Sequence, residues 1–359
     1  MLPRMNQRAR DLGIVIGAME PGPANAITDV AGVRVGHTTL IEGDSIRTGV
    51  TVVVPHDGHP GKDPLFAGCH RINGNGDLTG LEWVRELGML TSPVAITNTL
   101  SVGVVRDALA TSGHSEHLPV VGETYDGGLN DIEGQHVTAG NALAALEVAR
   151  SAPERHPVDE GNVGGGTGMI CHEFKGGIGT SSRVVDESAG GFTVGVLVQA
   201  NHGRRERFRV NGIPVGERLG AEVVPLPEDI DESGGSGSII ILVAADAPLL
   251  PHQCNRLALR AGFGVARTGG VGEHSSGDLV LAFATGNRGL VAGESALEGA
   301  RELSTRMLSD AYINPLYDAV IDATEEAIVN AVLAAETMTG RGARVHALDA
   351  EVLLGALGR

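Results

Sequence analysis

The sequence is poor in aromatic residues, in cysteines and in long apolar runs. Aromatic side chains make up 3% of the chain, and its three cysteines, Cys69, Cys171 and Cys254, stand far apart with no C-x-x-C spacing. This excludes a disulfide framework or a cysteine zinc site and predicts a reducing, cytoplasmic location. No stretch approaches the ~18 consecutive apolar residues of a transmembrane helix, and the basic start MLPRMNQRARDLG is not a signal peptide.

Basic residues are also scarce. Lysine and arginine number 27 against 44 acidic residues, which gives a net charge of −17 and a pI near 5.1. Nucleic acids and anionic membranes are themselves negatively charged. We therefore expect neither nucleic acid nor membrane as a partner.

Apolar residues and glycine are abundant. The 359 residues are 42% hydrophobic, enough for a large core, and include 53 glycines that show no period. Glycine allows positive φ angles and close backbone approach, so this pattern predicts many tight loops around a sheet. No boundary-like linker divides the C-terminal part, and we interpret 1–359 as one folded unit.

Strand-like and helical patterns occur along the whole chain. The predicted strands are VRVGHTTL (33–40), VTVVVP (50–55), PVAIT (93–97), TVGVLVQA (193–200), SIIILVAA (238–245) and LVLAFAT (279–285). The predicted helices cover 78–88 capped by Asp77, 101–113, 138–152 and 317–338. Because SIIILVAA is apolar throughout, both of its faces should be buried. This indicates a layered α/β fold.

One serine stands where a flexible loop meets that buried strand. The segment GGSGSIIILVAA leads from the polar stretch 226–237 into Ser238. Its glycines precede a strand and no lysine follows, so it is not a phosphate loop, and it lacks the G-x-S-x-G of a nucleophile elbow. An N-terminal nucleophile remains: cleavage of Gly237–Ser238 would give Ser238 an α-amine that acts as its base. By itself, this junction is more typical of an ordinary loop entering a strand.

Seven long segments together resemble one family. The chain is similar to the DmpA-type family of L-aminopeptidase/D-esterase-amidases and its β-aminopeptidase relatives. The matching segments, in the family's order, are ITDVAGVRVGHTT (27–39), AITNTLSVGVVRDAL (95–109), VVGETYDGGLNDI (120–132), GGGTGMICHEFKGGIGTSSR (164–183), VLVQANHG (196–203), GSIIILVAADAPLLPHQ (237–253) and ARTGGVGEHSSGDLVLAFATGN (266–287).

The resemblance implies a fold and an activity. The fold is an αββα four-layer sandwich, which the ornithine acetyltransferases share at the level of fold alone. Self-cleavage would give fragments 1–237 and 238–359, assembled as an oligomer, which we expect to be a tetramer of cleaved protomers. The implied enzyme removes N-terminal residues from short peptides, amides or esters with a free amine, and needs no metal or organic cofactor.

The resemblance also assigns roles to residues. Ser238 matches the nucleophile, and Asn201 matches an asparagine of the oxyanion hole, where an amide donor suits the charge that develops on oxygen. Tyr125 matches a tyrosine beside the nucleophile. Glu123, two residues earlier and so on the same face of a strand, matches an acidic residue suited to the substrate's ammonium group.

Ser276 and Asp278 resemble a serine and acidic pair that supports the nucleophile. Ser275 is an adjacent alternative to Ser276, and Ser236 would be the nucleophile if cleavage occurred at Gly235–Ser236 instead. We favour Ser238 because it abuts the buried strand.

Alternatives of function remain open. The same mechanism could act on β-peptides or pantetheine-type amides, or the chain could be an uncleaved, non-catalytic binding protein.

Metal sites are not expected: His56-x-x-His59 is not H-E-x-x-H and indicates surface histidines. Cys171 and His172 are neighbours, and on a strand their side chains would point to opposite faces.

Overall fold

The computed structural model describes residues 7–115, 118–230, 237–291 and 302–359. Ser236 lies outside these ranges. In chain order the strands are β1 (Arg34–Glu42), β2 (Ile46–Val54), β3 (Leu65–Gly74), β4 (Met89–Leu90), β5 (Val94–Asn98), β6 (Val120–Thr124), β7 (Ile170–Cys171), β8 (Phe174–Lys175), β9 (Gly177–Val184), β10 (Thr193–His202), β11 (Gly237–Ala245), β12 (Gly277–Ala284), β13 (Met338–Gly340) and β14 (Ala343–Val345).

The helices are fewer and flank the strands in sequence. They are α1 (Leu81–Leu87), α2 (Val102–Thr111), α3 (Ala139–Ser151), α4 (Pro251–Arg267), α5 (Asn314–Leu333) and α6 (Ala350–Leu357). Among the described residues, no helix is both long enough and apolar enough to cross a membrane.

Two sheets stack at the centre of the molecule. One has the order β1-β2-β5-β6 and the other β4-β3-β12-β11-β10-β9. Within the larger sheet β11 runs antiparallel to β10 and parallel to β12. Helices α2 and α3 pack on the outer face of the smaller sheet, and α4 and α5 pack on that of the larger. The four layers agree with the predicted αββα sandwich.

Strand β11 lies in the middle of this arrangement and is buried on both faces, as its apolar run predicts. Ile239, Ile241 and Val243 belong to the core shared with α4 and α5. Ile240 and Leu242 belong to the core between the two sheets. Each such side chain contributes roughly 1.5–3 kcal/mol by its burial, so the strand that carries Ser238 is firmly held.

Local sequence signals predicted only some of the helices and their ends correctly. Thr138 caps α3 through its side chain, as expected, whereas α1 begins after Gly80 and Asp77 does not cap it. Helix α4 was not predicted, although Cys254, Leu257, Ala258, Ala261 and Val265 recur at helical spacing on its buried face.

Candidate active site

Ser238 is the second residue of β11 and is 6% exposed. Its Oγ accepts a hydrogen bond of 2.9 Å from the backbone N–H of Gly277 on the neighbouring strand. Gly237, just before it, has a φ of +74°. A Cβ at 237 would lie 1.7 Å from the carbonyl oxygen of Asn201, so only glycine fits there. The local backbone therefore fixes both residues of the Gly237–Ser238 bond.

Asn201 stands directly opposite Ser238 in the antiparallel pairing of β10 with β11. Two backbone groups orient its carboxamide. Oδ1 accepts from the N–H of Ile170 at 2.7 Å, and Nδ2 donates to the carbonyl of Tyr125 at 3.0 Å. An amide has two N–H donors, and the second N–H of Nδ2 has no hydrogen-bond partner among the described residues.

Ser276 and Asp278 lie on the other side of Ser238, at the start of β12. The Ser276 hydroxyl donates a short hydrogen bond to Oδ1 of Asp278, and Asp278 pairs with Ile239 in the parallel register. Burial raises the pKa of Asp278 to about 6, with the hydrogen bond from Ser276 opposing this rise. The serine favoured from the sequence, Ser276, thus hydrogen-bonds Asp278.

Glu123 ends up buried near the same strands, on β6 of the smaller sheet. Its carboxylate accepts from the N–H of Asp77 at 3.0 Å and from the hydroxyl of Thr99. Burial raises the pKa of Glu123 above its usual value, and these two hydrogen bonds oppose the rise. A Cβ at Gly76 would be 3.0 Å from Glu123 Oε1 and 2.8 Å from Cα of Gly277, so the carboxylate lies near the donor to Ser238.

Tyr125 does not share the environment of Glu123. Strand β6 ends at Thr124, so strand alternation does not extend to Tyr125, whose side chain is 40% exposed. Its backbone carbonyl, rather than its ring, makes the contact with Asn201. The structure therefore brings Tyr125 to the site but gives its hydroxyl no hydrogen bond to Ser238.

Comparison with known proteins decides the family. The model of Peptidase family S58 matches residues 25–346.

The chain belongs to peptidase family S58.

Individual relatives of this S58 peptidase agree with the family match. It is 45% identical to a beta-peptidyl aminopeptidase BapA of Sphingosinicella microcystinivorans, over 93% of this chain and 87% of that one. A solved Burkholderia sp. beta-aminopeptidase is 56% identical, with a TM-score of 0.91 and 98% of each chain covered. The L-aminopeptidase D-Ala-esterase/amidase from Ochrobactrum anthropi, described as a variant of the Ntn hydrolase fold, is 42% identical, with a TM-score of 0.85 and 98% of each chain covered.

These findings confirm the resemblance and the fold class. The S58 peptidase is a hydrolase with the N-terminal-nucleophile fold, and its substrates are peptides or related amides.

Sequence reasoning missed one buried residue behind the site, Lys175 on β8. Its Nζ donates to the carbonyls of Met169 and Gly176, both at 2.8 Å. Burial lowers the pKa of Lys175 to about 7, while Cys171 and Asp126 act in the opposite direction. The only signal in the sequence was a lysine between Phe174 and two glycines.

Lys175 acts on Asn201 through a single peptide group. The carbonyl of the Met169–Ile170 peptide accepts from Lys175, and the N–H of the same peptide donates to Asn201 Oδ1. A donor on the carbonyl polarises the peptide and strengthens its N–H as a donor, most of all when Lys175 is protonated. We therefore infer that Lys175 positions the Asn201 amide.

We expect Lys175→Met to lower kcat about 10-fold while KM changes less than about 2-fold, since a misplaced carboxamide weakens mainly transition-state contacts. It should also lower stability by about 1–3 kcal/mol, because carbonyls lose a buried donor. Steady-state kinetics and urea unfolding measure both effects. The exposed Lys62→Met changes the charge equally and should change neither. A stability loss with unchanged kcat would reduce Lys175 to a purely structural role.

Proposed function

We propose that this S58 peptidase is a self-processing aminopeptidase and amidase whose nucleophile is Ser238. One observation carries the proposal: Ser238, the second residue of a buried strand, lies directly opposite Asn201, and its Oγ accepts from the Gly277 N–H. Cleavage would divide the single catalytic domain into fragments 1–237 and 238–359. The family match supports a peptidase rather than an uncleaved binding protein.

Self-cleavage uses the same hydroxyl as turnover. Ser238 Oγ attacks the carbonyl carbon of Gly237, the C–N bond breaks, and the acyl group moves from nitrogen to oxygen. Water then hydrolyses the ester and leaves Ser238 with a free α-amine. Gly237 has no side chain that could hinder approach to its carbonyl.

In the cleaved enzyme the α-amine is the general base. Its ordinary pKa of about 7.7–8.0 suits proton transfer near neutral pH. It takes the Oγ proton as Ser238 attacks the substrate carbonyl, and the proton passes to the departing amine. The free N–H of Asn201 stabilises the oxyanion, with Tyr125 beside it, and water releases the acid product. Ser276 and Asp278 form a polar pair on the adjacent strand that supports Ser238.

Glu123 would select substrates with a free amine. A buried carboxylate whose pKa is raised by burial gains from pairing with a cation. The substrate's ammonium group supplies that cation, which explains removal of N-terminal residues rather than internal cleavage. The similarity to a beta-peptidyl aminopeptidase and a beta-aminopeptidase favours β-amino acyl peptides and amides as substrates.

We further propose that cleaved protomers assemble as a homo-oligomer, a tetramer, in the cytoplasm. Large apolar side chains are exposed at Phe263 of α4 and at Val271 beyond it. Three free cysteines are consistent with a reducing compartment.

The intact mass of denatured protein tests the nucleophile. Wild-type protein should give two fragments that meet at Gly237–Ser238, and Ser238→Ala a single full-length chain, since alanine has no hydroxyl to attack. Ser236→Ala is the matched control and should be cleaved like the wild type. Cleavage of Ser238→Ala, or fragments that meet at Gly235–Ser236, would show that a residue other than Ser238 is the nucleophile.

Kinetics of Glu123→Gln test the amine site. Glutamine keeps the shape but loses the charge, so kcat/KM for a free-amine amide should fall about 10- to 100-fold, corresponding to about 1.5–3 kcal/mol for a charge-assisted hydrogen bond. The N-acetylated form of the same amide should lose much less. Exposed Glu133→Gln is the charge-matched control. An equal loss on both substrates would show that Glu123 merely holds Asp77 and Thr99.

A further inference from the structure

Three metal-binding side chains meet behind Asn201. One possible ligand atom from each of Cys171, His172 and His202 lies within 4.8 Å of the other two, and all three residues are buried. They come from two elements, the end of β7 and the end of β10. None of them takes part in the chemistry described above.

Backbone geometry explains why sequence neighbours converge here. Strand β7 ends at Cys171, and His172 has a φ of +50°. The alternation expected for a continuous strand therefore fails, and the two side chains can approach the same point. The N–H of His172 donates to the carbonyl of His202 at 2.7 Å, which fixes β10 against this turn.

The donor atoms are arranged as ligands usually are. His172 Nδ1 lies 3.2 Å from the carbonyl of Arg204, so Nδ1 carries the proton and Nε2 presents its lone pair. Such a carbonyl partner is the usual outer-shell support of a metal-bound histidine. Nε2 of His172 is buried with no hydrogen-bond partner among the described residues. A buried nitrogen acceptor without a partner is uncommon in a protein interior.

The spacing of two of the three ligand atoms matches a trigonal centre. Cys171 Sγ and His202 Nδ1 are 3.9 Å apart. Bonds of about 2.3 Å to sulfur and 2.0 Å to nitrogen at 120° give a separation of about 3.7 Å. Only a small movement of either side chain is needed to bind an ion between them.

We propose that Cys171, His172 and His202 form a buried site for one monovalent thiophilic cation, Cu(I). Thiolate and imidazole donors suit Cu(I). Binding exchanges the thiol proton of Cys171 for the metal ion, so one positive charge leaves as another enters. A divalent ion would add a net charge in a buried site close to Lys175, whose charge acts on Cys171, and burying net charge is costly.

The site is coupled to the proposed active centre through two adjacent residues. Ile170 precedes Cys171, Asn201 precedes His202, and the Ile170 N–H donates to Asn201 Oδ1. Drawing Cys171 and His202 onto a metal therefore displaces both partners of this hydrogen bond. Bound Cu(I) slows hydrolysis; this consequence rests on the proposed function, whereas binding itself does not.

An anaerobic Cu(I) titration in competition with bathocuproine disulfonate tests the site. The processed wild-type protein should bind one equivalent per chain. Affinity should fall at least about 100-fold in Cys171→Ser, since even outer-shell losses cost 10–100-fold. His172→Phe and His202→Phe should do the same, and phenylalanine at 172 keeps the ring stacked on Phe208. The half-buried thiol variant Cys69→Ser is the control and should bind like the wild type.

X-ray absorption of the loaded protein should show one sulfur and two nitrogen ligands. No binding after equilibration at both 25 and 45 °C, or binding that is lost in Cys69→Ser and kept in Cys171→Ser, would overturn the proposal.

The uncleaved variant Ser238→Ala separates the copper-site hypothesis from the proposed function, because it should bind Cu(I) although it cannot hydrolyse substrate. In wild-type protein one equivalent should lower kcat, and chelation should restore it; Cys171→Ser should have the same rate with or without copper.

Discussion

The antiparallel pairing of β10 with β11 determines where the Ser238 hydroxyl can lie. Because Asn201 is the register partner of Ser238, a shift of β11 by one residue would move the Ser238 side chain to the other face of the sheet. The strand is held by apolar residues on both faces of β11, which are buried against helices on one face and the second sheet on the other. The reactive group thus depends on a strand that is packed on both sides.

Around this strand pair, backbone groups rather than side chains do most of the orienting. Gly277 donates to Ser238, Ile170 donates to Asn201, and the carbonyl of Tyr125 accepts from Asn201. Backbone amides are fixed by the fold and need no reorganisation during a reaction. Lys175 donates to the carbonyl of one of these peptides from behind, so that a buried lysine is linked to the Asn201 amide through a single peptide group.

The sequence allowed β11 and a layered α/β fold to be predicted because these depend on local patterns, above all an uninterrupted apolar run. The αββα sandwich and the role of Ser238 rested instead on the resemblance of seven long segments to a family. Features that depend on tertiary contacts were missed. The carbonyls around Lys175 come from separate turns, and the cluster around Cys171 requires a positive φ at His172 that no pattern signals. His56, interpreted as a surface histidine, is buried, with Nε2 2.8 Å from the Asp63 carbonyl oxygen.

The central claim is that the acyl group is carried by the side chain of Ser238 at a new amino terminus. Trapping the intermediate tests it most directly: the enzyme is mixed with an activated ester of a β-amino acid, quenched in acid within milliseconds, digested and analysed by mass spectrometry. We predict the added acyl mass on the peptide that begins with Ser238. Acyl mass on another residue, or none during steady turnover, would contradict this account.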